Sequence, residues 1–166
     1  MLRINHITEK GTELKTVVDL FKAYAAELNE DICFQSFDKE LADPLQKYGA
    51  PQGALFLAYW NDEPAGCVAL QPLPDKDGLA VCEMKRLYVK PEYRKHKIGN
   101  ALVDLIIDEA AKLGYEKMKL DTFEKLQAAI NIYLKKGFVI TDAYYNNPLR
   151  NVVYMEKQLK LLTTAH

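Results

Sequence analysis

The sequence predicts an α/β (α+β) fold, a mixed central sheet flanked by helices. Two observations predict it. Apolar runs of strand length and segments of helical periodicity interleave along the 166 residues in the order β, α, α, three strands, then α-β-α-β-β. Near the middle, a strand, a helix and another strand follow one another as a crossover that pairs strands in parallel, within a sheet that is otherwise mixed.

Leu2 to Ile7 alternates and reads as the first strand. From Thr12, apolar positions Leu14, Val17, Leu20, Phe21, Tyr24, Ala25 and Leu28 recur at helical spacing, ending near Asn29. Phe37 to Tyr48 is a poorer helix, interrupted by Pro44 and closed by Gly49. Ala54 to Trp60 is nearly all apolar and reads as a buried strand. Asn61-Asp62-Glu63-Pro64 is turn chemistry, and Gly66 to Leu73 completes a hairpin. A turn at Asp75 to Gly78 leads into a strand from Leu79 to Val89. Ile98 to Leu113 sets Ile98, Leu102, Leu105, Ile106 and Ala110 on one helical face, and Gly114 stops it. Met118 to Phe123 alternates as a strand, and Leu126 to Lys136 is a helix stopped by Gly137. Phe138 to Thr141 and Val152 to Leu159 are the last strands, and residues 160–166 read as a frayed tail. Nothing repeats and no linker interrupts, so residues 1–160 are expected to form a single domain.

Composition narrows the function. Hydrophobic residues at 49% and charged residues at 27% describe an ordinary soluble globular chain. A net charge of −1 argues against a general nucleic-acid binder, whose basic surface would dominate the balance. With neither a leader-like N-terminus nor a bilayer-length apolar run, a cytoplasmic protein with no membrane partner is expected. Cys33, Cys67 and Cys82 read as buried thiols in a reducing compartment. His6, His96 and His166 do not cluster with them, so no metal site is expected.

The most informative stretch is EMKRLYVKPEYRKHKIGNAL, residues 83–102. An apolar strand ends at Pro91, a basic loop follows, and Ile98-Gly99 opens a helix. From Lys85 to Lys97 there are six Lys or Arg against one acid, Glu92. Such a run is either a solvated charged loop or a phosphate site, since unpaired N–H groups and the helix dipole favour an anion at a helix start.

These residues resemble the GNAT superfamily of acetyl-CoA-dependent N-acetyltransferases. LYVKPEYRKHKIGNAL at 87–102 is similar to the family's acetyl-CoA element, and AAINIYLKKGF at 128–138 to its A-x-x-x-Tyr-x-x-x-Gly-Phe element. The likeness follows element order over residues 2–160 and is strong over 79–140. It implies a splayed sheet, acetyl-CoA as co-substrate, an amine acceptor, and a monomer or homodimer. Two departures stand out. Lys95 and Lys97 occupy positions where glycines are common, so either the backbone at Lys97 is ordinary or strain of about 1–2 kcal/mol is tolerated. Leu126 replaces an Asn that many members hold seven residues before the catalytic Tyr, with Gln127 as a neighbouring substitute.

Carried over residue by residue, the resemblance implies that Arg94, Lys95, His96, Lys97, Ile98, Gly99 and Asn100 wrap the CoA pyrophosphate. It implies that the backbone of Leu87, Tyr88 and Val89 pairs with the pantetheine arm. Tyr133 matches the general acid for the departing thiolate, although a tyrosine on an amphipathic helix also serves as core with a wet tip. Glu83 stands where some members keep a general base. It shares a strand face with Lys85 and Leu87 if the strand is regular, and an exposed Glu83–Lys85 pair explains it equally well. Asp121 is a strand-end candidate for the ligand side or a cap, and Tyr144-Tyr145 a substrate-side loop or a plain connection. The acceptor class is expected to be a small molecule or peptide. The alternative function is a non-catalytic acyl-CoA sensor.

Overall fold

A computed structural model describes residues 1–32, 36–74 and 80–159. The elements are β1 Leu2–His6, α1 Thr12–Leu28, α2 Phe37–Ala42, α3 Pro44–Tyr48, β2 Ala54–Trp60, β3 Glu63–Pro72 and β4 Val81–Val89. A 3-10 turn at Pro91–His96 follows, then α4 Ile98–Lys112, β5 Lys117–Phe123, α5 Gln127–Lys135, β6 Val139–Thr141 and β7 Val152–Gln158. Among the described residues seven strands form one sheet in the order β1-β2-β3-β4-β5-β7-β6. Among the described residues β4 and β5 are the parallel pair that the central crossover demands, and the other neighbours are antiparallel.

Both faces of the sheet are covered, which explains why β2 is apolar throughout. Leu55 and Leu57 pack with Leu14, Val17, Leu20 and Phe21 of α1, whereas Ala54, Phe56 and Ala58 pack with Leu102, Val103 and Ile106 of α4. Tyr133 and Phe138 place α5 on the α4 side.

Several boundaries differ from the sequence reading. The hairpin turn is only two residues, Asn61 and Asp62, both at positive φ (48° and 67°). That geometry matches the twist of the flanking strands, so Glu63 and Pro64 join β3. Pro44 starts a separate helix, since its fixed φ suits a first helical position. The basic loop is wound into the 3-10 turn. Cys33, the Asp75–Gly78 turn, Leu79 and the tail lie outside the described residues.

Arg86 shapes β4. It has φ 59°, and the β3–β4 register shifts beside it, between Cys67 and Ala69. This is a β-bulge, and it moves later side chains to opposite faces. Cys82 and Met84 face the α4 core before it; Leu87 and Val89 face that core after it, and Tyr88 faces α1. Glu83 therefore does not share a face with Leu87.

Candidate active site

The parallel ladder is short. Val81, Cys82 and Glu83 pair with Lys117, Met118 and Lys119, and beyond that rung β4 and β5 part. The bulge turns β4 one way, while β5 stays laddered to β7 through Phe123. A cavity of about 420 Å³ fills the gap, walled by Leu87, Tyr88 and Val89 on one side and by Leu126, Gln127 and Ala129 on the other. Tyr24 and Glu27 of α1 reach its wall, and Arg94, Lys97, Gly99 and Asn100 close the end at α4. A smaller cavity of about 40 Å³ shares Tyr24, Leu87, Leu126 and Ala129 with it and is lined by Lys85, Asp121 and Tyr133.

At the α4 end the backbone is set for an anion. The first described bond into the helix runs from Ala101 N–H to Lys97 O at 3.2 Å. First-turn N–H groups have no partner within a helix, and here they belong to Ile98, Gly99 and Asn100. Lys97 takes the left-handed conformation, φ 57° and ψ 28°, so a lysine carries the strain that a glycine would avoid. A Cβ at Gly99 would sit 3.2 Å from Ile132 Cδ1; the missing side chain lets α4 approach α5.

The six cations do not act together. Arg86 turns away from the loop into a buried pair with Glu40 of α2, 2.6 Å from Nε to Oε2. Lys85 points toward Asp121 at 3.8 Å. Arg94 donates from Nε to Val89 O at 2.9 Å and from Nη2 to Glu27 Oε2 at 2.6 Å. Tyr88 donates to the other Glu27 oxygen at 3.0 Å, and burial together with that bond pushes its phenol up to about 12.

At the inner end Tyr133 is 6% exposed and lines the small cavity. Its motif has a physical reason. Gly137, at φ 95°, lets Phe138 N–H return to Tyr133 O at 3.0 Å, a helix-ending turn that lays the Phe138 ring 5.8 Å from the Tyr133 ring. Burial, then Tyr24 and Asp121, pushes the Tyr133 phenol above its ordinary value, so it stays protonated. Glu83 is 4% exposed. Gln71 donates to its Oε1 at 2.7 Å and Tyr144 to its Oε2 at 2.5 Å. The exposed Glu83–Lys85 pair is thereby replaced by a buried carboxylate with two other donors. Asp121 accepts from Tyr145.

Residues 16–138 match the Acetyltransferase (GNAT) family. The chain belongs to that family. It is 42% identical over 164 residues to an uncharacterized N-acetyltransferase of Schizosaccharomyces pombe, covering 96% of this chain and 99% of the relative. It is 31% identical to another from Dictyostelium discoideum, covering 93% and 98%. Its fold is like that of an acetyltransferase from Streptococcus agalactiae, with a TM-score of 0.77 at 23% identity over 95% of this chain and 98% of the other. A Bacillus subtilis acetyltransferase solved in complex with CoA aligns with a TM-score of 0.66 at 24% identity, covering 96% and 100%. The chain is thus an acyltransferase of the N-acetyl-transferring kind.

In this GNAT acetyltransferase the cavities bring together Leu87, Tyr88, Val89, Arg94, Lys97, Gly99, Asn100 and Tyr133 of the residues expected from sequence. Lys95 is exposed and lines neither cavity, His96 stacks on Trp60 with centroids 4.0 Å apart, and the Ile98 side chain is core. Glu83 lies on the last parallel rung and lines neither cavity, whereas Lys85 lines the smaller one. Sequence reasoning missed Tyr24 and Glu27, although their i, i+3 spacing puts them on one α1 face. It also missed Lys125, which donates to Leu28 O at 2.6 Å and ties the end of α1 across the cavity mouth.

Proposed function

We propose that this chain acetylates a primary amine of a small molecule or peptide by direct attack on acetyl-CoA. The carrying observation is the parting of β4 from β5 after Glu83, with two adjoining cavities that between them reach from the α4 N-terminus to Tyr133. The pyrophosphate sits at residues 94–100, on the first-turn N–H groups with Arg94 and Lys97 adding charge. The pantetheine arm lies along Leu87, Tyr88 and Val89, whose edge has lost its β5 partner and offers backbone groups to a ligand strand. Leu126, at the lip of both cavities, supplies an apolar wall where an amide is common. The buried free thiols Cys67 and Cys82 fit a reducing, cytoplasmic setting.

In the reaction the amine nitrogen bonds to the acetyl carbon and the carbon–sulfur bond breaks. Tyr133 gives its proton to the leaving thiolate. The proton shed by the amine passes to Glu83, directly or through water, and the products are the acetamide and CoA. A thiol-release assay across polyamines, amino acids, aminoglycosides and peptides tests this reading. Turnover with at least one amine supports it; acetyl-CoA binding without turnover on any would favour a sensor.

A further inference from the structure

Tyr144 and Tyr145 are adjacent in the segment joining β6 to β7, and each holds a carboxylate on a different bank of the cleft. Tyr144 donates to Glu83 of β4 and Tyr145 to Asp121 of β5. Asn147 braces the segment, donating to the Tyr145 hydroxyl at 2.8 Å and accepting from Leu149 N–H at 2.9 Å. The Tyr144 ring meets the Tyr145 and Tyr154 rings edge-on at 5.3 and 5.5 Å. Lys119, the residue opposite Glu83 on the last parallel rung, places its ammonium 5.2 Å from the centre of the same ring. The ring is gripped from three directions, which aims the hydroxyl.

We propose that Tyr144 is the positioning residue for the Glu83 carboxylate, an inference that rests on Glu83 being the proton acceptor. With Gln71 on Oε1 and Tyr144 on Oε2 the carboxylate cannot rotate, yet each oxygen keeps a lone pair for an incoming proton. Without the Tyr144 hydroxyl, Oε2 is buried with no fixed donor and the carboxylate swings about the Gln71 bond. Misaimed bases lose rate through orientation.

The ionisable groups around Glu83 are Cys82 and Lys85 of β4, Lys119 and Asp121 of β5, Tyr48 of α3, and Tyr144 and Tyr145. Burial pushes Cys82 and the three tyrosines upward, so they stay protonated through the assay range. Lys85 and Lys119 are drawn toward Asp121 and Glu156, each at 3.8 Å.

The experiment compares wild type, Tyr144→Phe, Tyr145→Phe, Glu83→Gln and the Tyr144→Phe/Glu83→Gln double variant. The acceptor is the amine that turns over fastest in the panel above. Rates are taken from neutral pH to about 10, near the amine's own pKa. Tyr144→Phe keeps the ring and its packing. It should lower kcat/KM for the amine roughly tenfold at neutral pH, leave KM for acetyl-CoA unchanged, and recover as the amine deprotonates itself. The double variant should be no slower than Glu83→Gln alone, because the two residues act as one unit. Tyr145→Phe loosens the same segment without touching Glu83, so its ratio to wild type should not vary with pH. A pH-independent ratio for Tyr144→Phe, or additive losses in the double variant, overturns the positioning role while a pH-dependent Glu83→Gln defect keeps Glu83 as base. If Glu83→Gln equals wild type at every pH, the base reading fails and the inference with it.

Discussion

Arg94 is anchored to Glu27, its Nη2 2.6 Å from Oε2, so the basic turn is tied to α1 across the mouth of the cleft. Both side chains are nearly half exposed, at 47% and 42%, and such pairs contribute only about 0–1 kcal/mol to the fold. The pair matters instead for the ligand, because a pyrophosphate must share the guanidinium with Glu27 or displace it. Arg94→Glu should weaken acetyl-CoA binding about tenfold or more, the scale of a lost charged hydrogen bond, and reduce its salt sensitivity. Glu27→Gln, which frees the guanidinium, should bind acetyl-CoA at least as tightly as wild type. Calorimetry on both variants decides; unchanged affinity in Arg94→Glu would place the phosphates elsewhere.

Tyr133→Phe removes the proposed proton donor but keeps the ring against Phe138. The expected result is a fall in kcat of about 10²-fold or more with acetyl-CoA affinity nearly intact. Pre-steady-state kinetics shows whether chemistry limits the rate. An unchanged chemical step would leave Tyr133 as packing.

Lys97 carries left-handed strain at the start of α4. Lys97→Gly relieves about 1–2 kcal/mol in the folded state and gives back about 0.4–1 kcal/mol through a more flexible unfolded chain. Stability should therefore hold or rise slightly in a urea titration, while acetyl-CoA affinity falls several-fold with the lost charge. A clear loss of stability would mean that the Lys97 side chain holds the turn.

Glu40 and Arg86 form a buried pair, with Lys47 and Tyr48 also on the carboxylate. Burial alone would raise the Glu40 carboxyl; the Arg86 hydrogen bonds and charge, then Lys47 and Tyr48, outweigh it and hold it below its ordinary value. A depressed folded value contributes stability that is complete above the unfolded value of about 4 and is lost as pH falls through the folded one. On the acid limb the loss should thus set in as pH falls past the ordinary carboxylate value and be complete only below the depressed folded one. Glu40→Gln should flatten that limb and cost about 3 kcal/mol by leaving Arg86 buried without its counter-charge. An unaltered acid limb in the variant would show that other carboxylates govern it.

Periodicity made much of the fold legible. The Ala54–Trp60 strand agrees with the structure residue for residue, and the helix from Thr12 ends at Leu28 with Asn29 as its cap, because each has one unambiguous apolar pattern. The cavity wall was legible because it is local: Leu87 to Asn100 is one continuous strand, turn and helix start. The bulge at Arg86 was not, since no propensity marks an arginine for positive φ; the buried partner Glu40, 46 residues away, accompanies it. For the same reason the bond from Tyr144 to Glu83 spans 61 residues and is invisible to spacing. The charge count misled at Lys85 and Arg86, since net charge along a strand says nothing of which face each side chain takes.

Among the described residues three backbone rungs join the β1–β4 half of the sheet to the β5–β7 half. Past those rungs no ladder spans the gap among the described residues, so its width there follows from the side chains that line both cavities, Tyr24 and Leu126 among them. Replacing either one would reshape the cleft while leaving the strand ladders in place.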